Sequence, residues 1–128
     1  MKVLLDTHAF LWWLDGDKRL PVKIRKLLAD EHNEILVSAA SAWEVTTKYR
    51  IGKLPNAELI AKQFSQCIAD QGFISLSIST RHAEHAGLLS GTHRDPFDRM
   101  LIAQSVTERV SLVSNEEIFD AYGVERLW

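Results

Sequence analysis

The 128-residue sequence is poor in cysteine: Cys67 stands alone. No intrachain disulfide framework can form, and such usage fits a reducing cytosol. Long apolar runs are also missing. Nothing approaches the roughly 20 residues that span a bilayer. The N-terminus, MKVLLDTHAF, carries Asp6 inside its apolar stretch and has no small-residue cleavage site, so it does not read as a signal peptide. A cytoplasmic protein without membrane association is expected. A basic excess is absent as well, since 15 Lys and Arg face 17 Asp and Glu for a formal net charge of -2. That excludes a broad basic surface as the main grip on nucleic acid, but not nucleic acid held through metal ions. There is no internal repeat, no Pro/Gly/Ser-rich linker and no glycine-rich phosphate loop. What is present is an ordinary globular composition, 46% hydrophobic and 25% charged. A single domain over residues 1–128, large enough for a core without staples, is the expectation.

Short apolar runs alternate with helical periodicity. Residues 2–5 read as a buried strand that stops at Asp6. Residues 7–15 place Phe10, Leu11, Trp13 and Leu14 at helical spacing, with Thr7 as N-cap. Pro21 opens a second helix whose apolar face is Val22, Ile24, Leu27 and Leu28. Residues 34–38 give a second strand. Ser41 caps a helix to about Arg50, stopped near Gly52, and Asn56 caps another to about Asp70. A third strand over 73–76, a helix over 80–89, a polar loop over 90–96 and a strongly apolar helix over 97–108 follow. A fourth strand spans 110–113, then a helical turn reaches Phe119, and residues 124–128 are a candidate edge strand. Strands separated by helices predict an α/β fold with a parallel sheet of four to five strands covered on both faces. Functional groups in such folds gather at the carboxyl ends of strands.

Acids stand at those ends. Asp6 directly follows the first strand, where it can bind a cation, accept a proton or simply favour a helix N-terminus. Glu44 lies three residues after Ser41, which is capping-box spacing; it also belongs to the helix that leaves the second strand. In His93-Arg94-Asp95-Pro96-Phe97-Asp98-Arg99, Asp95 is a natural N-cap with Pro96 at the first helical position. Asp98 is one turn in, facing solvent or the sheet edge. Ser114-Asn115-Glu116-Glu117 follows the last buried strand, and for Glu117 the helix dipole is reason enough. Carboxylates gathered in low dielectric are costly unless paired or bound to metal. Oxygen-only donors suit Mg2+ or Mn2+, and the chemistry that follows is phosphodiester hydrolysis.

The segments LLDTHAFLWWL, SAASAWEV, HRDPFDRMLIAQ and LVSNEEIFDAYGVERLW, in this order and over the whole chain, resemble PIN-domain ribonucleases, specifically VapC-type toxins of prokaryotic toxin–antitoxin modules. The resemblance implies a PIN-like three-layer α/β/α fold. By position, it implies an acidic set of Asp6, Glu44, Asp98 and Glu116. Asp95 matches the first acid of the HRDPFDR segment and is an additional ligand candidate. Ser114, with Thr7, is a supporting candidate that orients water or metal. Glu116 departs from the family, which usually has Asp there; the extra methylene can shift a second metal position or make the contact run through water. The implied activity is a Mg2+- or Mn2+-dependent endoribonuclease in which a metal-activated water attacks in line, leaving a 5′-phosphate and a 3′-hydroxyl. The implied partners are an RNA substrate, a second copy of the chain and a VapB-type antitoxin whose C-terminal segment fills a groove near the site, giving a larger hetero-oligomer.

Other conspicuous residues divide between site and scaffold. Arg94, Arg99 and Lys48 are candidates for contacting RNA phosphates or for balancing the acids. His8 and His93 lie near the same cluster. Trp13 and Trp43 read as core or groove-lining, and Trp12, off the apolar stripe, as a candidate antitoxin or dimer contact. His82 and His85 read as a solvated face, and Cys67 as a small core residue. Two competing readings remain at this level. One is a non-catalytic PIN-like module that binds RNA or a protein partner. The other is a phosphoryl-transfer domain with Asp6 as nucleophile, against which the position two residues on is His8 and no Lys follows the last strand.

Overall fold

A computed structural model describes residues 1–128. Five strands are present: β1 (Lys2–Leu5), β2 (Glu34–Ser38), β3 (Ile74–Leu76), β4 (Ser111–Val113) and β5 (Arg126–Leu127). They form one fully parallel sheet in the order β3-β2-β1-β4-β5. The seven α-helices are α1 (Thr7–Asp15), α2 (Val22–Ala29), α3 (Ala39–Arg50), α4 (Glu58–Lys62), α5 (Phe64–Asp70), α6 (Thr80–Leu88) and α7 (Pro96–Glu108), with 3-10 turns at Pro55–Ala57 and Glu117–Tyr122. None of the helices is long and apolar enough to cross a membrane.

The strands read as unbroken apolar runs because both sheet faces are covered. The two-residue period of a strand then sorts each run between two cores. Val3 and Leu5 of β1, Ile35 and Val37 of β2, and Val113 of β4 face one side, against Phe10 of α1, Ile24 and Leu28 of α2, Val45 of α3, and Phe64 and Ile68 of α5. Leu4, Leu36 and Leu112 face the other, against Leu101 and Ile102 of α7 and Phe119. This is the expected three-layer α/β/α arrangement with the five-strand limit of the sequence reading.

Several boundaries differ from the sequence reading for identifiable reasons. The cap of α1 is Asp6, whose Oδ1 accepts from the Ala9 N–H at 2.8 Å, so Thr7 is helical rather than the cap. The cap of α3 is Ser38, not Ser41: the Ser38 hydroxyl accepts from the Ala40 N–H at 2.9 Å directly at the end of β2. Glu44 therefore sits in the second turn, beyond reach of any capping box. The single helix expected from Asn56 to Asp70 breaks at Gln63, where the backbone leaves the helical region (φ -135, ψ 37). The break lets Phe64 and Ile68 turn into the core, while α4 only half-buries Ile60 and Ala61 against it. Val22 is exposed, leaving Ile24 and Leu28 as the buried face of α2. His82 is not on a solvated face but buried, at 4% exposure. It takes the place of Glu in the α6 capping box, its Nδ1 accepting from the Ser79 N–H at 3.0 Å. Cys67 is half-buried against the first core, as a small packing residue would be.

Candidate functional site

The strand order reverses direction at β1. The chain starts mid-sheet, builds outward through β2 and β3, then returns to place β4 on the other side of β1. A crevice at the carboxyl ends of strands at such a switch point is where open α/β sheets bind ligands. Asp6 stands at that point, its own N–H donating to the Val113 carbonyl of β4 at 3.0 Å. The capping bond to Ala9 fixes one of its oxygens. The Ser114 hydroxyl, fully buried, bonds the Asp6 carboxylate and accepts from the Glu116 N–H at 3.0 Å. Ser114 thereby ties the acid after β1 to the acid after β4.

Burial pushes the Asp6 carboxyl up to about 6. The Ser114 and Ala9 hydrogen bonds and the nearby His8 oppose the shift, while the charge of Glu116 adds to it. Asp98, in the first turn of α7, is likewise pushed up to about 6, first by burial. A hydrogen bond from His93 opposes this, and the charges of Asp95, Glu116 and Glu44 reinforce it. The charge of Glu116 thus bears on both Asp6 and Asp98, and those of Asp95 and Glu44 bear on Asp98.

Glu44 projects from α3 and is 4% exposed. Thr7 Oγ1 lies 2.6 Å from Glu44 Oε1 and 3.0 Å from Ser41 Oγ. A hydroxyl has one proton, so Thr7 donates to the carboxylate and Ser41 to Thr7. Lys48 Nζ donates to Glu44 Oε2 at 2.5 Å, an i,i+4 pair. Burial works against the Lys48 ammonium, but its bond to Glu44 and the charges of Glu44, Asp95 and Asp98 outweigh that and hold it above its ordinary value. Lys48 is thus the cation that balances the cluster. Glu116 is half-buried, with His8 Nδ1 3.8 Å from its Oε1.

Asp95 caps α7, its Oδ1 accepting from the Phe97 N–H at 2.9 Å and the Asp98 N–H at 3.2 Å. Replacing Asp95 by Ala is expected to cost about 1 kcal/mol of stability, while Asp95→Asn keeps the cap and stays near the parent. Urea unfolding of the two variants separates them.

Arg99 turns away from the cleft. Its guanidinium donates to the carbonyls of Ala86 (3.0 and 3.2 Å), Leu89 and His93 (3.1 Å) and so clamps the loop before α7. Arg94 is exposed. Trp43 is 61% exposed and meets Phe97 edge to face, with centroids 5.0 Å apart, lining an apolar groove with Ala40, Ile78 and Met100. Trp13 packs against the first core, its Nε1 donating to Gln71 at 2.9 Å. Trp12 is half-buried under Trp128 and Arg19, whose guanidinium lies 4.7 Å from the ring centroid. The sequence reading missed Ser41 and Tyr122 as supports. Both act through contacts distant in sequence, which no local pattern encodes.

No group of three or more His, Cys, Asp or Glu side chains stands close enough together to hold a metal ion by itself. Mg2+ does not require one, being commonly held by one or two carboxylates with waters and substrate phosphate. The all-oxygen donor set fits such an ion.

Comparison with known proteins agrees with this architecture. Residues 3–125 match the PIN domain family model. Over 61 residues the chain is 41% identical to Ribonuclease VapC16 of Mycobacterium tuberculosis, a match that takes in 48% of this chain and 43% of that protein. Among solved structures, VapBC2 from Rickettsia felis bound to a DNA fragment from its promoter superposes with a TM-score of 0.73 at 17% identity, covering 99% of this chain and 98% of that one. DNA-bound VapBC from Salmonella typhimurium gives 0.68 at 14% identity, covering 99% and 97%. A toxin–antitoxin complex from Klebsiella pneumoniae gives 0.67 at 16% identity, covering 98% and 96%. At such identities these likenesses speak for the fold. The family model spans nearly the whole chain, and with the acids at the switch point of a parallel sheet the conclusion follows: this chain belongs to the PIN domain family.

Proposed function

We propose that this chain is a divalent-metal-dependent endoribonuclease and the toxin of a VapBC-type toxin–antitoxin pair. The observation that carries the reading is the pair Asp6 and Asp98. Asp6 is buried at the carboxyl end of β1 and Asp98 stands in the first turn of α7 with Asp95 and Glu44 bearing on it, while Glu116 bears on both. The partial identity to a ribonuclease supports it. The residues that would hold the ion are Asp6, Asp98 and Glu116, with Glu44 joining once Lys48 releases it and Asp95 as a further oxygen donor. Bound there, Mg2+ or Mn2+ supplies Lewis-acid stabilisation of the developing phosphate charge and lowers the pKa of the attacking water.

The chain's own groups do the rest. Ser114 and the Ala9 N–H fix Asp6, Thr7 and Ser41 fix Glu44, and His93 holds Asp98. An acidic cleft repels RNA on its own, so binding of the phosphate falls to the ion, to Lys48 and to the exposed Arg94 at the rim. The partner side of the proposal is a VapB-type antitoxin, together with a second copy of this chain.

The test is incubation of the purified chain with a random-sequence RNA, with Mg2+, with Mn2+ and after chelation. Cleavage only with the ions, leaving 5′-phosphate and 3′-hydroxyl ends, is the expected result. RNA bound but never cut under any of these conditions would instead establish a binding module.

A further inference from the structure

Hydrogen bonds of the loop between α6 and α7 converge on one residue. His93 is fixed at three points. Its N–H donates to the Tyr122 hydroxyl at 3.2 Å. Its carbonyl accepts from Arg99 Nη1 at 3.1 Å. Its ring Nε2 lies 2.8 Å from Asp98 Oδ2. Main chain and side chain are thus both set before the ring meets the carboxylate. The fit on the Tyr122 side is tight: Gly91 adopts φ +106, and a Cβ there would come within 2.6 Å of the Tyr122 hydroxyl oxygen. Such a conformation favours glycine, and a side chain there would have to displace the Tyr122 ring. Tyr122 ends the 3-10 turn that begins just after Glu116. The latch therefore joins the segment carrying one acid of the cleft to the loop that orients another.

We propose that His93 and Tyr122 are positioning residues for the Asp98 carboxylate. His93 engages Oδ2 and leaves Oδ1, which has no hydrogen bond within the protein, for a cation or its water; Tyr122 sets the height of His93. The inference rests on the metal-dependent reading of the site. Groups that orient a metal-binding carboxylate typically contribute 10–100-fold in metal affinity or activity when removed. Neither residue touches RNA in this scheme, so the loss falls on metal affinity and, at saturating Mn2+, on kcat, while KM for RNA measured at saturating Mn2+ stays near the parent.

The experiment measures Mn2+ binding to the intact chain by calorimetry, together with kcat and KM on a random-sequence RNA and the melting temperature. His93→Leu removes the donor. His93→Gln retains an amide nitrogen close to the Nε2 position. Tyr122→Phe removes a single oxygen. His93→Leu should weaken Mn2+ binding and lower kcat by about 10-fold or more. His93→Gln should recover most of both, and Tyr122→Phe should show the same pattern, weaker, with an unchanged melting temperature. If His93→Leu unfolds, Tyr122→Phe and His93→Gln still carry the comparison. Parent-like Mn2+ affinity and kcat in Tyr122→Phe and His93→Leu would overturn the inference while leaving the nuclease reading intact. A parent chain that binds no Mn2+ and cuts no RNA would overturn the nuclease reading, and this inference with it.

Discussion

Asp6→Asn is expected to abolish metal-dependent RNA cleavage and, at neutral pH, to make the metal-free protein more stable. The activity loss follows from removing the acid that both β1 and β4 position. A cation site contributes several kcal/mol of transition-state stabilisation, so the loss is on the order of 1,000-fold. The stability gain follows from burial. Asp6 is 4% exposed, and its carboxyl is pushed up to about 6 from an ordinary 3.8. A carboxyl whose folded pKa lies above its unfolded one binds more protons in the native state between those two values. Stability therefore falls as pH rises from about 4 through about 6, and the whole cost is present above 6. That cost is on the order of 3 kcal/mol. Asn keeps an oxygen to accept from the Ala9 N–H, so the cap survives. A gain of about 2 kcal/mol at pH 7.5, or roughly 6–10 °C in Tm, is the expected outcome, shrinking to nothing near pH 4. Thermal unfolding at the two pH values checks it. A variant that is both inactive and less stable at pH 7.5 would show that Asp6 is a scaffold residue.

Asp6 was legible because an apolar run of strand length ends on it, and strand ends are fixed by hydrophobicity alone. The five strands and three layers follow from the same signal. For Glu44 the capping-box spacing to Ser41 is coincidental, because the cap falls where β2 stops, at Ser38, and what carries Glu44 towards the strand ends is the helix that leaves β2. Asp95 as a cap was legible because Asp-Pro is a local signal. The burial of His82 was not, and His93 was legible as a neighbour of the acids but not as the partner of Asp98. His82 is buried by α7, where Gln104 lies 3.5 Å from its Nδ1. His93 meets Asp98 only because Arg99 and Tyr122 fold the loop back. Arg99 looked like a phosphate ligand because its flanking acids suggested a cleft; its carbonyl partners on α6 and the following loop are invisible to spacing. Local signals thus located the acids, and long-range contacts determined how each is held.

Metal affinity is expected to collapse between pH 7.5 and pH 5, because the cation must displace protons from acids that hold them unusually well. Asp6 and Asp98 both titrate near 6. Binding requires the carboxylate, so below pH 6 each acid lowers the apparent affinity by up to a factor of ten per pH unit. At pH 5 each is roughly nine-tenths protonated, and together they weaken Mn2+ binding by about 100-fold relative to pH 7.5. Acids at the ordinary value would be almost fully ionised at pH 5 and would give a change of less than about 2-fold over the same range. The native state is not at risk from these groups in the acid arm, since protonating either one relieves its burial cost. Calorimetric titration with Mn2+ at both pH values reads the affinity directly. Repeating it in buffers of different ionisation enthalpy counts the protons released, which should approach two at pH 5 and fall towards zero at pH 7.5. An affinity constant across this range would mean that Asp6 and Asp98 are not the acids that meet the ion, leaving Glu44 and Glu116 to hold it.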